Sequence, residues 1–188
     1  CLTDGAASHP GSRSFAGQDL AALRRRELVE AVEQLGGRGS DVSWIGAPDG
    51  RLAADDQIVG HVVDLAKANG AELVLAPSPL DPHCDHVAGA EIGRKVVLSS
   101  PGLRLAFYPV WSRWHGGGVA RPPSGTRAVR LPRATFREQK LAAIAAHRSQ
   151  QGQVVDDDPE GFEMPPGFAR FFGESDEIYF LLSHGDWE

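Results

Sequence analysis

Apolar runs of strand length alternate along this chain with longer stretches of helical periodicity, and that alternation restricts the fold more than any other feature. Leu20, Leu23, Leu28, Val32 and Leu35 recur near helical spacing from about Asp19 to Leu35, where Gly36 and Gly37 end the run. VSWIGA reads as a short strand closed by the turn Pro48-Asp49-Gly50. A second helix follows from about Ala54 to Asn69 and stops at Gly70. ELVLAPS then reads as a buried strand, Asp85 to Val96 as a helix, RLAFYPVW as a strand, TFREQKLAAIAAHRSQ as a late helix and EIYFLL as a final strand. Strands and helices in this order predict an α/β fold in one domain across residues 1–188, with ligands bound beyond the carboxyl ends of the strands.

The composition narrows the partners. A net charge of −6 and the lack of a lysine- or arginine-rich run point away from nucleic acid and from anionic membranes, leaving a small molecule as the expected ligand. No apolar run is long enough to cross a bilayer. Cys1 and Cys84 are too few for a disulfide framework, which fits a reducing, cytoplasmic setting. No G-x-G-x-x-G or Walker loop joins a strand to a helix, so a nucleotide-binding module lacks its phosphate cradle. The single methionine is Met164, and Cys1-Leu2 runs straight into Thr3-Asp4-Gly5, a turn signal of the kind that closes a strand. The reading therefore expects the earlier part of that strand upstream of Cys1.

The chemistry concentrates in LAPSPLDPHCDH, Leu75 to His86, where a strand end delivers Asp81, His83, Asp85 and His86 to the carboxyl edge of the sheet. Histidine and carboxylate together suit zinc or a similar divalent ion, and a neighbouring carboxylate can fix a histidine tautomer by accepting its other N–H. The competing reading makes Asp81 or Asp85 a helix cap and the histidines solvated loop residues. Arg24 and Glu27, three apart on the first helix, read as a surface ion pair, with the alternative that the Arg24 guanidinium is turned to a ligand. The loop WSRWHGGG offers Trp111 for stacking on a ligand, against the alternative of a core indole. Asp156, Asp157 and Asp158 lack the spacing of a calcium loop and are expected to be solvated. His147 on the late helix is expected to be structural, and His61, His115 and His184 carry no pattern.

Three motifs in order resemble the PIG-L/LmbE family of zinc-dependent N-acetylglucosamine de-N-acetylases: LTDGAASHPGSR at Leu2 to Arg13, LAALRRRE at Leu20 to Glu27, and APSPLDPHCDHVAGAEIG at Ala76 to Gly93. YPVW and KLAAIAAHRSQ resemble later segments of the same family. The resemblance implies a Rossmann-like three-layer fold with a mostly parallel sheet. It also implies hydrolytic removal of an acetyl group from an amino-sugar conjugate, with Zn2+ or another divalent metal as cofactor. By this likeness His86 is a metal ligand, His83 stabilises the developing oxyanion, Asp85 orients or tunes a histidine, and Asp4, Arg24 and Trp111 contact substrate.

Two departures accompany the likeness. The family's AHPDDE motif, which carries its remaining ligands and general base, is not in this sequence; His9-Pro10 is followed by Gly11 and Ser12 and reads as a decoy. The resemblance therefore places the first strand and those ligands upstream of Cys1. It leads us to expect an active parent, little activity from this length alone, and aggregation, strand swapping or a homo-oligomer at the uncovered edge. A catalytically incomplete carbohydrate-binding or scaffolding module is the alternative. The second departure is Cys84, which stands where many relatives have proline and is expected to be a small turn residue rather than a ligand.

Overall fold

The computed structural model describes residues 1–132 and 136–182. Thr135, the expected start of the late helix, and His184 lie outside the described residues. Contacts divide the chain into two compact units, one of residues 1–50 and 132–176, the other of residues 51–131 and 177–188.

In the first unit, helix α1 (Gln18–Gln34) packs on α5 (Arg137–Ala146), and α5 packs on α6 (Phe168–Glu174). Small residues set the first contact: Ala31, Ala143 and Ala146 form one buried cluster. Leu20 and Leu23 from the same helix bury against Val155, flanked by Phe15 and Val154. The predicted strand VSWIGA is present as an extended segment that makes one parallel bridge, Thr3 to Ala47, with Ala47 N–H donating to Leu2 O at 2.8 Å and Asp4 N–H to Ala47 O at 2.9 Å.

Two carboxylates of the acidic run anchor the loop before α1, while Asp156 and Asp157 keep the solvent exposure that the sequence predicts. The Asp157 carboxylate accepts from Ser12 Oγ at 2.6 Å, Arg13 N–H at 2.8 Å and Ser14 N–H at 2.9 Å, while Asp158 accepts from Gly11 N–H at 2.8 Å. The Ser12 hydroxyl and the two amides hold the Asp157 carboxyl well below its ordinary range. These oxygens serve as the anchor of the 11–14 loop, which is why the run does not read as a cation site.

The second unit holds a four-stranded sheet in the order β1 (Leu73–Pro77), β2 (Arg104–Tyr108), β4 (Glu177–Leu182), β3 (Thr126–Leu131). β1 and β2 are parallel, in register from Leu73 with Arg104 to Pro77 with Tyr108. β4 is antiparallel to both β2 and β3. The α/β class stands, and the pairing is more mixed than the mostly parallel sheet expected: the parallel pair is the one whose connection contains a long crossover helix. That crossover is α3 (Cys84–Leu98), which lies on β1 and β2 and also contacts α2 (Asp56–Ala68). Gly93 permits the close approach, since a Cβ there would sit 3.1 Å from both Ala76 Cβ and Leu105 Cδ1. Phe107 and Phe180, opposite each other across β2 and β4, are fully buried with Leu105 and Val96.

Two elements differ from the sequence expectation. The strand RLAFYPVW ends at Tyr108, because Pro109 has no N–H for the ladder, and Trp111 instead opens the short helix α4 (Trp111–His115). β3 is an element the sequence does not announce. Its burial shows no period of two, with Arg127, Ala128, Arg130 and Leu131 all exposed, so the strand pattern is missing from its residues.

Candidate active site

The end of β1 is turned sharply by Ser78. Its N–H donates to Tyr108 O at 2.8 Å, extending the parallel pairing by one rung. Its O accepts from Asp81 N–H at 3.1 Å and its Oγ from Leu80 N–H at 3.2 Å. This turn buries the Asp81 side chain completely. There the carboxylate accepts from Val110 N–H at 3.1 Å, Trp111 N–H at 3.2 Å, Ser112 N–H at 2.9 Å and the Ser112 hydroxyl. Asp81 thus serves the amides that open α4, groups with no partner inside their own helix.

The same carboxylate holds His86. Asp81 Oδ2 lies 2.8 Å from His86 Nδ1. Burial would push the Asp81 carboxyl up, but the hydrogen bonds from His86, Ser112 and Val110 outweigh it and bring it down from 3.8 to about 2. An ionised Asp81 can only accept, so His86 carries its proton on Nδ1 and presents the Nε2 lone pair outward. Because the folded value is depressed, the contribution of Asp81 to stability is full above about pH 4 and is lost as pH falls toward 2. In melting curves recorded between pH 5 and pH 2, the parent chain should lose more stability than Asp81→Asn does.

His83 is the N-cap of α3, and its Nδ1 accepts the Asp85 backbone N–H at 3.2 Å. The proton of a neutral His83 is therefore on Nε2. The two imidazoles lie 5.2 Å apart between centroids. Asp85 is buried, and its Oδ1 accepts the Leu52 N–H at 3.1 Å, tying the segment before α2 to the start of α3. Asp85 reaches His83 through its main chain, whereas the carboxylate that fixes His86 is Asp81, a residue whose helix-cap and histidine-fixing roles were both open in the sequence. Among the described residues, the three donors close enough together to share an ion are His83, Cys84 and Asp85, within 4.8 Å of one another. They are consecutive residues at a helix start, and their proximity follows from that. Cys84 is exposed, with Sγ 3.7 Å from Asp85 Oδ1.

Trp111 stacks on His115 one helical turn away, with centroids 5.8 Å apart and planes inclined by 23°. Tyr108, the last residue of β2, has its hydroxyl pushed above the usual tyrosine range by burial, then by Asp81 and Tyr179.

Asp4 and Arg24 belong to the first unit. Asp4 Oδ1 accepts from Ala6 N–H at 3.0 Å and Asp49 N–H at 3.1 Å, so Asp4 does cap a turn. Arg24 Nη1 donates to Gly5 O at 2.6 Å, while Nε and Nη2 are buried with no acceptor among the described residues. The Arg24–Glu27 surface pair is corrected: Glu27 is fully buried and accepts from Ser149 N–H at 2.8 Å and Ser149 Oγ at 2.7 Å. His9 is buried against Ser8 Oγ at 2.9 Å, in keeping with a structural role for the His9-Pro10 pair. His147 is half-buried, and burial pulls its pKa below the ordinary value.

The profile of the PIG-L family, described as GlcNAc-PI de-N-acetylase, matches residues 1–97, from the first turn through α3 and both histidines. The chain belongs to the PIG-L family. No curated protein sequence matches it. Among solved structures it is similar to the N,N'-diacetylchitobiose deacetylase of Pyrococcus horikoshii in complex with an inhibitor, at a TM-score of 0.71 and 23% identity, over 97% of this chain and 71% of that one. It is also similar to a deacetylase of the teicoplanin biosynthesis pathway, at a TM-score of 0.66 and 18% identity, over 98% and 86% of the two chains. A zinc-inhibited form of teicoplanin deacetylase matches at a TM-score of 0.59 and 18% identity, over the same shares. At these identities the likeness is one of fold. No helix among the described residues is long and apolar enough to cross a membrane.

Proposed function

We propose that this member of the PIG-L family is a metal-dependent hydrolase that removes the acetyl group from an N-acetylglucosamine-type conjugate. One observation carries the reading: a buried, ionised Asp81 holds His86 by Nδ1 at 2.8 Å and leaves Nε2 free, beside a second histidine at the carboxyl end of a parallel strand pair. The family match over residues 1–97 and the deacetylase folds of the structural neighbours support it.

His86 fits Zn2+ as an imidazole ligand, since its other nitrogen is fixed by a carboxylate in the manner usual for metal-bound histidine. When bound, such an ion lowers the pKa of its water toward neutrality and polarises a carbonyl oxygen. His83 has its Nε2–H available to donate to the acetyl oxygen as charge builds there. Asp85 keeps that tautomer in place by offering its main-chain N–H to Nδ1. Trp111 presents an indole braced by His115 for stacking on a sugar face.

The test is acetate release from a simple N-acetylglucosamine conjugate, by this chain and by a version extended upstream, with and without a chelator. Chelator-sensitive release is expected from the extended form, and His83→Ala should lower its kcat about 10²- to 10³-fold, the usual cost of removing an oxyanion donor. A metal-replete extended form that is inert would refute the hydrolase reading. If that inert form still bound the sugar, the binding-module reading would replace it.

A further inference from the structure

We propose that the edge strand β3 and the loop leading into it dock on an anionic lipid surface. The observation is a segregation of charge that counting basic runs does not detect. Between Glu91 and Glu138 the chain carries nine arginines and lysines and no aspartate or glutamate, whereas the remainder carries ten against all 25 carboxylates. A chain that is acidic overall thus contains one long stretch with no anionic side chain.

The fold brings part of that stretch to the rim of the sheet. β3 pairs with β4 on one side only and forms one end of the strand order. Arg127 and Leu131 alternate onto one face and Arg130 onto the other, and all three are exposed. Arg121, in the loop before the strand, is exposed as well. Two aliphatic side chains accompany them, Val119 at 76% exposure and Leu131 at 49%.

Protection of a sheet edge against self-pairing accounts for arginines on β3 itself. It does not account for Arg121 and Val119 in the loop, nor for the exclusion of carboxylates along the chain before and after the strand, where Glu177, opposite Leu131, comes from β4. A bilayer surface accounts for all of these: its phosphates attract arginine and repel carboxylate, and its headgroup boundary accepts exposed aliphatic groups. The exposed large apolar side chains that flank Arg121, Arg127 and Arg130 along the chain, Val119 and Leu131, are aliphatic, which suits an acyl boundary better than the stacked bases of a nucleic acid.

The experiment is co-sedimentation of the full chain with vesicles of phosphatidylcholine alone and of phosphatidylcholine with about a third phosphatidylglycerol. Binding is expected to the anionic vesicles alone and to weaken with added salt. The double variant R121A/R127A should bind about 30-fold more weakly, at about fivefold per arginine. Val119→Asp should weaken binding without altering the charge of the arginines. Arg121, Arg127 and Val119 lie outside the residues assigned to chemistry, so acetate release from a soluble conjugate should not change in these variants. Equal binding to neutral and anionic vesicles, no binding to either, binding indifferent to R121A/R127A, or capture of a single-stranded oligonucleotide in place of vesicles would each overturn the proposal.

Discussion

Asp81→Ala is expected to destabilise the second unit by about 3–5 kcal/mol, the range for removing one member of a buried, hydrogen-bonded charged group. The loss would not come from the His86 contact alone. Val110, Trp111 and Ser112 all point main-chain N–H groups at this carboxylate, and alanine leaves them without it. Denaturant unfolding of the two chains measures the difference, and a loss under about 1 kcal/mol would mean that water replaces the carboxylate at no cost. Asp81→Asn separates the two roles. It keeps the shape and one acceptor but no longer obliges His86 to protonate Nδ1, so the expected result is a smaller stability loss with a 10- to 100-fold drop in metal affinity.

Glu27→Ala should cost the first unit about 3 kcal/mol or more. The side chain is fully buried, accepts both the N–H and the hydroxyl of Ser149, and offers its charge to the Arg24 guanidinium. Its removal leaves two buried donors unsatisfied, opens a void between α1 and the turn at Arg148–Gln150, and weakens the field that compensates the burial of Arg24. Glu27→Gln, which can still accept one of the two bonds, should recover part of the loss. A thermal melt of Glu27→Ala indistinguishable from that of the parent would show that Glu27 behaves as the surface residue its helical spacing suggests.

That last contrast shows where the sequence is informative and where it stops. The helices over residues 18–34, 56–68 and 84–98 and the strands at 73–77 and 177–182 stand in the sequence because their apolar spacing or apolar runs and their glycine stops are local. β3 escapes notice because an edge strand with arginines on both faces has no alternation to read. α4 looks like a loop because five helical residues lead into a glycine run. Which face of α1 is buried is settled by α5 and by Ser149, more than a hundred residues later, so the Arg24–Glu27 spacing alone could not decide it. The candidate site divides in the same way. The strand end and its cluster of carboxylates and histidines are legible in LAPSPLDPHCDH. The assignment of Asp81 to His86 depends on the Ser78 turn and on amides near residue 110, which only the folded chain brings together, whereas the Asp85 main-chain bond to His83 is a local helix cap.

The most direct test of the central claim is zinc stoichiometry measured together with acetate release, on the upstream-extended protein and on its His86→Ala variant. About one zinc bound per chain and measurable release in the parent, with both lost in the variant, is the outcome predicted by an imidazole whose Nε2 is held out by Asp81. Zinc binding and acetate release that persist unchanged after His86→Ala would contradict it and move the metal to other residues.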